Sequence, residues 1–235
     1  MNTKFITFGS HDNYIEAGER LVKQIVELNI FTESILYTPE YLKKDINFWD
    51  EHNEFINNNK RGYGYWLWKP YIIKKTMENM KNGDIILYLD CGCEVISKNK
   101  SELLKCIDIV KTDKIVGTSS GYPEKYWNKM DLLEQLNMNK DDYLNTDQYQ
   151  GGTNLFLVCD ETKHLVNEWY RLCCSYHNID DTPSILKNLD DFREHRHDQS
   201  IFSLLTKKYN IYSKHNLNNC IYVSRNISGK SKIED

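Results

Sequence analysis

Acidic and small residues follow a strongly apolar run of the sequence. Residues 84–94 read DIILYLDCGCE, so that Asp90, Gly92 and Glu94 come at alternate positions directly after the run. If the chain stays extended here, these three residues point to one side. A carboxylate at such a place can bind a divalent cation, because hard cations prefer oxygen ligands. The alternative is that Asp90 only caps a turn. Gly92 would allow a ligand or a second backbone segment to come close.

A second segment combines aromatic rings with two cations. Residues 61–70 read RGYGYWLWKP and contain Arg61, Trp68 and Lys69. The rings either pack beneath the sheet or stack on a nucleobase or a sugar face. In the second case Arg61 and Lys69 stand next to a helix N-terminus, which favours an anion.

Two further polar segments have more than one interpretation. Residues 195–200 read HRHDQS, and Asp198 there either caps a helix or joins His195, His197 and Gln199 in binding sugar hydroxyls. Residues 148–153 read QYQGGT. Its two glycines indicate either a close backbone approach or a bulge.

Strand and helix patterns alternate along the chain and predict an α/β fold with a mainly parallel sheet in a single domain. The predicted strands are residues 4–8, 34–37, 84–89, 114–118 and 151–159, and the predicted helices are residues 15–28, 69–80, 101–110, 162–176 and 198–208. Ligands of such sheets bind beyond the carboxyl ends of the strands, which directs attention to residues 9–14 and 90–94.

Composition excludes several classes of protein. The 235 residues hold 30 Lys and Arg against 34 Asp and Glu, which gives a net charge of −4 and argues against a dominantly basic nucleic-acid binder. No stretch approaches the roughly 18 apolar residues of a membrane span, and the first residues lack a signal-peptide hydrophobic region. The seven cysteines form no CxxC pair, which favours a reducing, cytoplasmic location, with a zinc site as the alternative.

Taken in order, these segments resemble the glycosyltransferases of the GT-A fold, and most of all glycosyltransferase family 8. The FGSHDNY stretch of residues 8–14 is similar to the family's nucleotide loop, with Asn13 and Tyr14 matching. Asp90-Cys91-Gly92 stands at the family's Asp-x-Asp motif, and Gln150-Gly151-Gly152 at its Asn-Ala-Gly segment. The pair Asp198-Gln199 matches literally.

The resemblance implies a set of functional residues. Asp198 and Gln199 would be catalytic. The metal would be Mn²⁺ or Mg²⁺. Asp90 would bind it together with Glu94, because Gly92 stands where the motif has its second Asp. The third ligand would be Asn226, with His215 as the competing candidate. The residues implied for the nucleotide sugar are Phe8, Gly9, Asn13, Tyr14, Arg61, Trp68, Lys69, Leu89, Asp90, Gly92, Gln150, Gly151, Gly152 and His197.

The expected function is therefore a metal-dependent, retaining glycosyltransferase. It would move a sugar from a nucleotide-diphosphate donor, UDP-sugar by analogy, to a hydroxyl on a glycan, protein or lipid. Residues 1–225 would form the domain and residues 226–235 a polar tail of the kind that usually frays. The alternative is a non-catalytic nucleotide-sugar or glycan-binding module on a degenerate GT-A scaffold. A nucleotidyltransferase ranks last, because the residues after the first strand lack its Gly- and Arg/Lys-rich signature.

Overall fold

The computed structural model describes residues 1–233, and its centre is a five-stranded sheet in the order β2-β1-β3-β6-β5. Four strands run in one direction and β6 runs against them. The predicted α/β class with a mostly parallel sheet is confirmed. The strands are β1 (Thr3–Phe8), β2 (Glu33–Tyr37), β3 (Ile85–Leu89), β4 (Glu94–Val95), β5 (Ile115–Pro123), β6 (Asp147–Leu157) and β7 (Ile221–Tyr222).

Helices cover both faces of this sheet. They are α1 (Asp12–Glu27), α2 (Pro39–Lys44), α3 (Ile46–Asn58), α4 (Gly62–Tyr65), α5 (Trp68–Glu78), α6 (Lys100–Asp113), α7 (Met130–Gln135), α8 (Asp141–Leu144), α9 (Asp160–Cys173) and α10 (Asp198–Lys208). Within residues 1–233, none of these helices combines the length and the hydropathy that a membrane span needs.

Strand β3 shows how the sequence builds the two core layers. Alternate side chains point to opposite faces of a sheet. Ile86 and Tyr88 therefore pack in the layer that contains α5, α9 and α10. Leu87 and Leu89 pack in the layer that contains α1 and α6. All four are completely buried, as expected of a central strand covered on both faces. The residue after Leu89 emerges at the edge of the sheet.

The later strands are longer than the sequence predicts. Strand β6 begins at Asp147 instead of residue 151, and β5 continues to Pro123 instead of ending at residue 118. Both extensions consist mainly of polar residues, which hide the strand pattern because few of them enter the core. Helices α2 and α3 were not predicted either.

A small second sheet pairs β4 with β7 and brings residues 224–233 back across the molecule. The amide of Asn226 donates to the carbonyl of Gly92 at 2.9 Å, and Asn226 is only 1% exposed. The amides of Lys232 and Ile233 donate to the Glu94 carboxylate. Residues 226–233 therefore make specific hydrogen bonds to the domain. The last part of the predicted tail, residues 234–235, lies outside the described residues.

Candidate functional site

A tight turn follows β3 and sets the direction of Asp90. The amide of Asp90 donates to the carbonyl of Gly152 on β6 at 2.8 Å, and the amide of Cys93 donates to the carbonyl of Asp90 at 2.9 Å. The second bond closes a four-residue turn, so the chain does not stay extended past Asp90. The expectation that Asp90, Gly92 and Glu94 share one side is therefore wrong, because it required an extended chain.

Lys69 is a buried cation between two carboxylates. It stands in the first turn of α5, where Pro70 can follow because an early helical residue needs no backbone donor. Its Nζ lies 3.2 Å from Oδ1 of Asp90 and 3.2 Å from Oδ2 of Asp198. Burial alone would lower the pKa of Lys69, but the charges of Asp198 and Asp90 outweigh burial and raise that pKa. Lys69 thus lies beneath the site, where the two carboxylates balance its positive charge.

The two carboxylates that form ion pairs with Lys69 differ in their surroundings. The Asp90 side chain is 43% exposed, and its Oδ1 accepts a hydrogen bond from the Tyr88 hydroxyl at 2.6 Å. The Asp198 side chain is 3% exposed at the start of α10. Burial raises the pKa of Asp198 to about 6, even though the charge of Lys69 acts in the opposite direction. Asp90 therefore presents its charge to solvent, whereas Asp198 holds its charge inside the protein.

The two glycines of β6 let these acidic residues come close to the strand. A Cβ atom on Gly152 would stand 2.3 Å from Oδ2 of Asp90, and one on Gly151 would stand 3.3 Å from Oδ2 of Asp198. The amide of Gly151 donates to Oε1 of Gln199 at 3.1 Å. The structure therefore brings Asp90, Gly151, Gly152, Asp198 and Gln199 together, as the sequence predicts.

A polar cleft of 590 Å³ opens above this group. Alternate residues of β6 line its floor, because Gln148, Gln150 and Gly152 face the same side of the strand. Nε2 of Gln199 donates to Oε1 of Gln148 at 2.7 Å, so the amide of Gln199 is held at both ends. The remaining lining residues are Asp90, Gly92, Cys93, Ser120, Tyr122, Trp127, Arg193, Arg196, Val223 and Arg225. Fixed amides and a carboxylate in a cleft of this size suit a ligand with several hydroxyl groups.

A second cleft of 330 Å³ lies beside the polar one and has aromatic walls. The two clefts share Asp90, Gly92 and Arg225, so they meet at the end of β3. The rings of Phe8 and Trp68 stack with their centroids 3.9 Å apart. The other lining residues are Ser10, His11, Tyr14, Lys60, Gly62, Tyr63, Trp66, Cys91 and Ile227. Aromatic side chains of this density can enclose a flat ring.

A strained turn carries part of the aromatic wall. Every residue from Gly62 to Trp66 has a positive φ, including Tyr63 at 52° and Trp66 at 60°. Gly62 cannot be replaced without strain, since a Cβ there would stand 2.4 Å from the Trp66 ring. Its carbonyl also accepts a hydrogen bond from Nε1 of Trp68 at 2.9 Å. Strain of this kind concentrates at functional sites, where the surrounding structure must hold it in place.

Arg61 and His197, both predicted to bind the nucleotide sugar, lie next to the clefts but line neither. Nη1 of Arg61 contacts both carboxylate oxygens of Asp181, at 2.9 and 3.1 Å. The His197 ring stacks on Tyr65, and its Nδ1 is 2.7 Å from the carbonyl oxygen of Ile179. Burial lowers the pKa of His197. Both side chains support the loop behind the aromatic wall.

Several other predicted residues also stand outside the cleft linings, including Lys69, which is buried beneath them. Leu89 is completely buried in the α1 and α6 layer. Gly9 packs its Cα face on the backbone of α1, and Asn13 is exposed on that helix. His215, the competing metal ligand, lines a separate hollow together with residues of α6. Of the FGSHDNY loop, Phe8, Ser10, His11 and Tyr14 line the aromatic cleft, whereas the predicted Gly9 and Asn13 do not.

The predicted metal ligands do not fit a cation in this cleft. Glu94 is completely buried, and its carboxylate accepts hydrogen bonds from Ser224, Asn226, Ser231 and the Lys232 amide. Burial acts to raise the pKa of Glu94, but these hydrogen bonds outweigh it and hold that pKa at about 2. The turn after Asp90 sends Glu94 to this cluster and away from the cleft.

Asn226 is likewise unable to serve as a ligand. Its Nδ2 donates to Glu94 and to the carbonyl of Lys230, and its Oδ1 accepts from Ser228. Of the three predicted ligands, only Asp90 offers an oxygen to the cleft. Glu94 and Asn226 are corrected here from metal ligands to structural residues.

One group among residues 1–233 has the spacing of a metal site, and its residues line neither cleft. Ligand atoms of Glu51, His52 and Cys174 lie within 4.8 Å of one another. Both ring nitrogens of His52 are 2.9 Å from tyrosine hydroxyls, those of Tyr176 and Tyr170. A metal at this place would have to displace one of these hydrogen bonds.

Several residues of the clefts escape sequence reasoning. Gln148 had a usable signal, because it lies two residues along a strand from the predicted Gln150 and so shares its face. Arg193 and Arg196 flank the predicted His195. Arg225 and Lys60 had no local signal, since only the fold brings them to the cleft.

No protein-family profile and no curated protein matches the chain. Among solved structures, the chain is similar to a crystal structure of mouse xyloside xylosyltransferase 1 in its apo form. The two share 13% sequence identity with a TM-score of 0.47, over 91% of this chain and 84% of that chain.

Proposed function

We propose that the protein is a glycosyltransferase that uses a nucleotide-diphosphate sugar. The observation that supports this proposal is the meeting of two unlike clefts at Asp90. The aromatic cleft suits a nucleobase, and the polar cleft suits a sugar and the hydroxyl that accepts it. A diphosphate joins a nucleoside to a sugar, so it would lie where the clefts meet.

Each of the residues at this junction has a role in the proposed reaction. Asp90 accepts hydrogen bonds from donor hydroxyls through its exposed carboxylate. Asp198 and Lys69 hold the end of β3 and the start of α10 in register beneath the sugar. Gln199, fixed between Gln148 and Gly151, presents its amide to the face of the anomeric carbon. Such pre-organised dipoles stabilise developing charge without rearrangement.

The transfer follows the retaining course implied by the family resemblance. The bond between the anomeric carbon and the diphosphate oxygen breaks, and its electron pair stays on that oxygen. The acceptor oxygen then bonds to the anomeric carbon from the same face. The proton of the acceptor hydroxyl passes to the leaving phosphate oxygen. UDP is the nucleotide that the resemblance implies.

The test is donor turnover by the full chain. Incubation with a panel of UDP-sugars should release UDP, and Asp198→Asn should reduce release while UDP affinity stays within about twofold. Asp142→Asn, which changes an exposed acidic residue outside both clefts, is the matched control and should behave as wild type. UDP binding with no release from any donor would instead favour the non-catalytic binding module.

A further inference from the structure

The two clefts are basic although the protein is acidic. The net charge of the chain is −4. Within residues 1–233, the cleft linings nevertheless contain Lys60, Arg193, Arg196 and Arg225 and a single carboxylate, that of Asp90. Asp90 is in addition paired with Lys69. A local surplus of positive charge of this kind attracts an anionic ligand.

The cleft cations are not equivalent. Arg196 pairs with Glu194 at 2.8 Å, and the guanidinium of Arg193 lies 4.1 Å from the centroid of the Tyr126 ring. Arg225 is exposed, and within residues 1–233 no ion pair holds its side chain. Among these four cations, Arg225 alone lines both clefts. Its guanidinium is therefore available at the place where the clefts meet.

The backbone of Arg225 is fixed on both sides. The hydroxyl of Ser224 and the amide of Asn226 both donate to the carbonyl of Gly92 at 2.9 Å. Ser224 and Asn226 also donate to the buried Glu94 carboxylate. Arg225 itself has φ of 49°, so it projects from a sharply turned segment. The charged group thus extends from an anchored base.

The same contact explains why residue 92 is glycine. A Cβ atom on Gly92 would stand 3.2 Å from Cα of Arg225, and the neighbouring segment would have to move away. Any side chain at this position would therefore crowd the backbone of Arg225. The glycine after Asp90 and the close approach of the Arg225 segment belong to one packing arrangement.

We propose that Arg225 binds the diphosphate of the donor in place of a divalent cation, so that donor binding does not require metal. This inference rests on the proposed function. A guanidinium is always charged and can donate two parallel hydrogen bonds to phosphate oxygens. It would neutralise the leaving diphosphate at the junction, where the cleft provides only one carboxylate for a cation.

The experiment is calorimetric titration of the full chain with UDP, in EDTA and in Mn²⁺. Wild-type affinity should agree within about threefold between the two conditions. Arg225→Gln should weaken binding about 10- to 100-fold in both, the usual effect of losing a charge-assisted contact. Arg225→Lys should lose less, because it keeps the charge but not the planar fork. Lys230→Gln removes an exposed cation of the same segment and should bind as wild type.

The outcomes separate this inference from the proposed function. Wild-type binding that disappears in EDTA, or Arg225→Gln that binds as wild type, overturns the role of Arg225 and leaves the donor site standing. Failure of the wild type to bind UDP in both conditions overturns the UDP donor site and this inference with it. A thermal melt of each variant identifies loss of folding, and Arg225→Lys then carries the comparison.

Discussion

Asp90 and Glu94 stand four residues apart in the sequence and belong to two different charge clusters. The clusters differ in whether a ligand can reach them. The cluster of Lys69, Asp90 and Asp198 presents a 43% exposed carboxylate to two clefts. The cluster of Glu94 and Arg20 is closed, because the guanidinium lies 3.4 Å from the carboxylate and donates to backbone carbonyls at Cys91 and Cys93. The first cluster presents a carboxylate that a ligand can reach, whereas the second is enclosed within the fold.

The pKa values express the same difference. Burial raises the pKa of Asp198 to about 6, whereas several donated hydrogen bonds hold the pKa of Glu94 at about 2. The fold therefore disfavours the charge of Asp198 and favours that of Glu94. A carboxyl group whose pKa is raised beside a cleft, as that of Asp198 is, is typical of functional sites.

The largest expected effect is on stability and comes from Glu94→Gln. Removal of this charge leaves Arg20 buried without its carboxylate, which should lower the free energy of unfolding by about 3–5 kcal/mol. Urea unfolding at pH 7 measures it. Glu19→Gln, an exposed position on the same helix as Arg20, is the control and should change the free energy by less than about 0.5 kcal/mol. Equal stability of Glu94→Gln and wild type would remove the distinction between the clusters.

The second effect is on activity and comes from Asp90→Asn. Lys69 keeps Asp198 as a partner, so the fold should persist with a melting temperature within a few degrees of wild type. The ratio kcat/KM for UDP-sugar turnover should fall about 10- to 100-fold, because a charged acceptor facing the donor is lost. Steady-state UDP release measures it. A loss of stability as large as that of Glu94→Gln would show that Asp90 is structural.

The smallest effect is a difference in pH dependence. A carboxylate whose pKa is lowered by folding stabilises the protein above its unfolded value and loses this contribution as pH falls. The advantage of wild type over Glu94→Gln should therefore shrink from pH 4.5 toward about 2.

Asp198 should show the opposite sign, because folding raises its pKa. Wild type should lose stability relative to Asp198→Asn as pH rises from about 3.8 to about 6. Urea unfolding at a series of pH values measures both differences. Parallel slopes for the two pairs would contradict the comparison.

The sequence predicts the scaffold well because its signals are local. The apolar run of residues 85–89 forms a strand and α10 begins at Asp198, as the residue pattern predicts, although the N-cap is His197 and not Asp198. The acidic position after β3 and the two glycines of β6 were also identified. Asp90 follows the end of a strand, where ligands of an α/β sheet bind, and Gly151 and Gly152 lie within the neighbouring antiparallel strand.

The error at Glu94 and the omission of Arg225 both arise from contacts that periodicity does not report. A single turn at Cys91 and Gly92 reverses the direction of the chain, and periodicity carries no information about it. Arg225 reaches the cleft through contacts with a segment about 130 positions earlier, which no local pattern reports. Asn226, taken as a ligand, belongs to the same long-range contact.

This long-range contact has a consequence for the order of folding. Contacts between residues far apart in sequence pay a larger loop-closure cost and tend to form late. The sheet and its helices can assemble from nearer neighbours, whereas the junction of the clefts is complete only when residues 224–233 have docked on Gly92 and Glu94. A partly folded chain would thus have the aromatic side chains of the second cleft in place but not Arg225 and Ile227. It would become able to bind the donor only in the last step of folding.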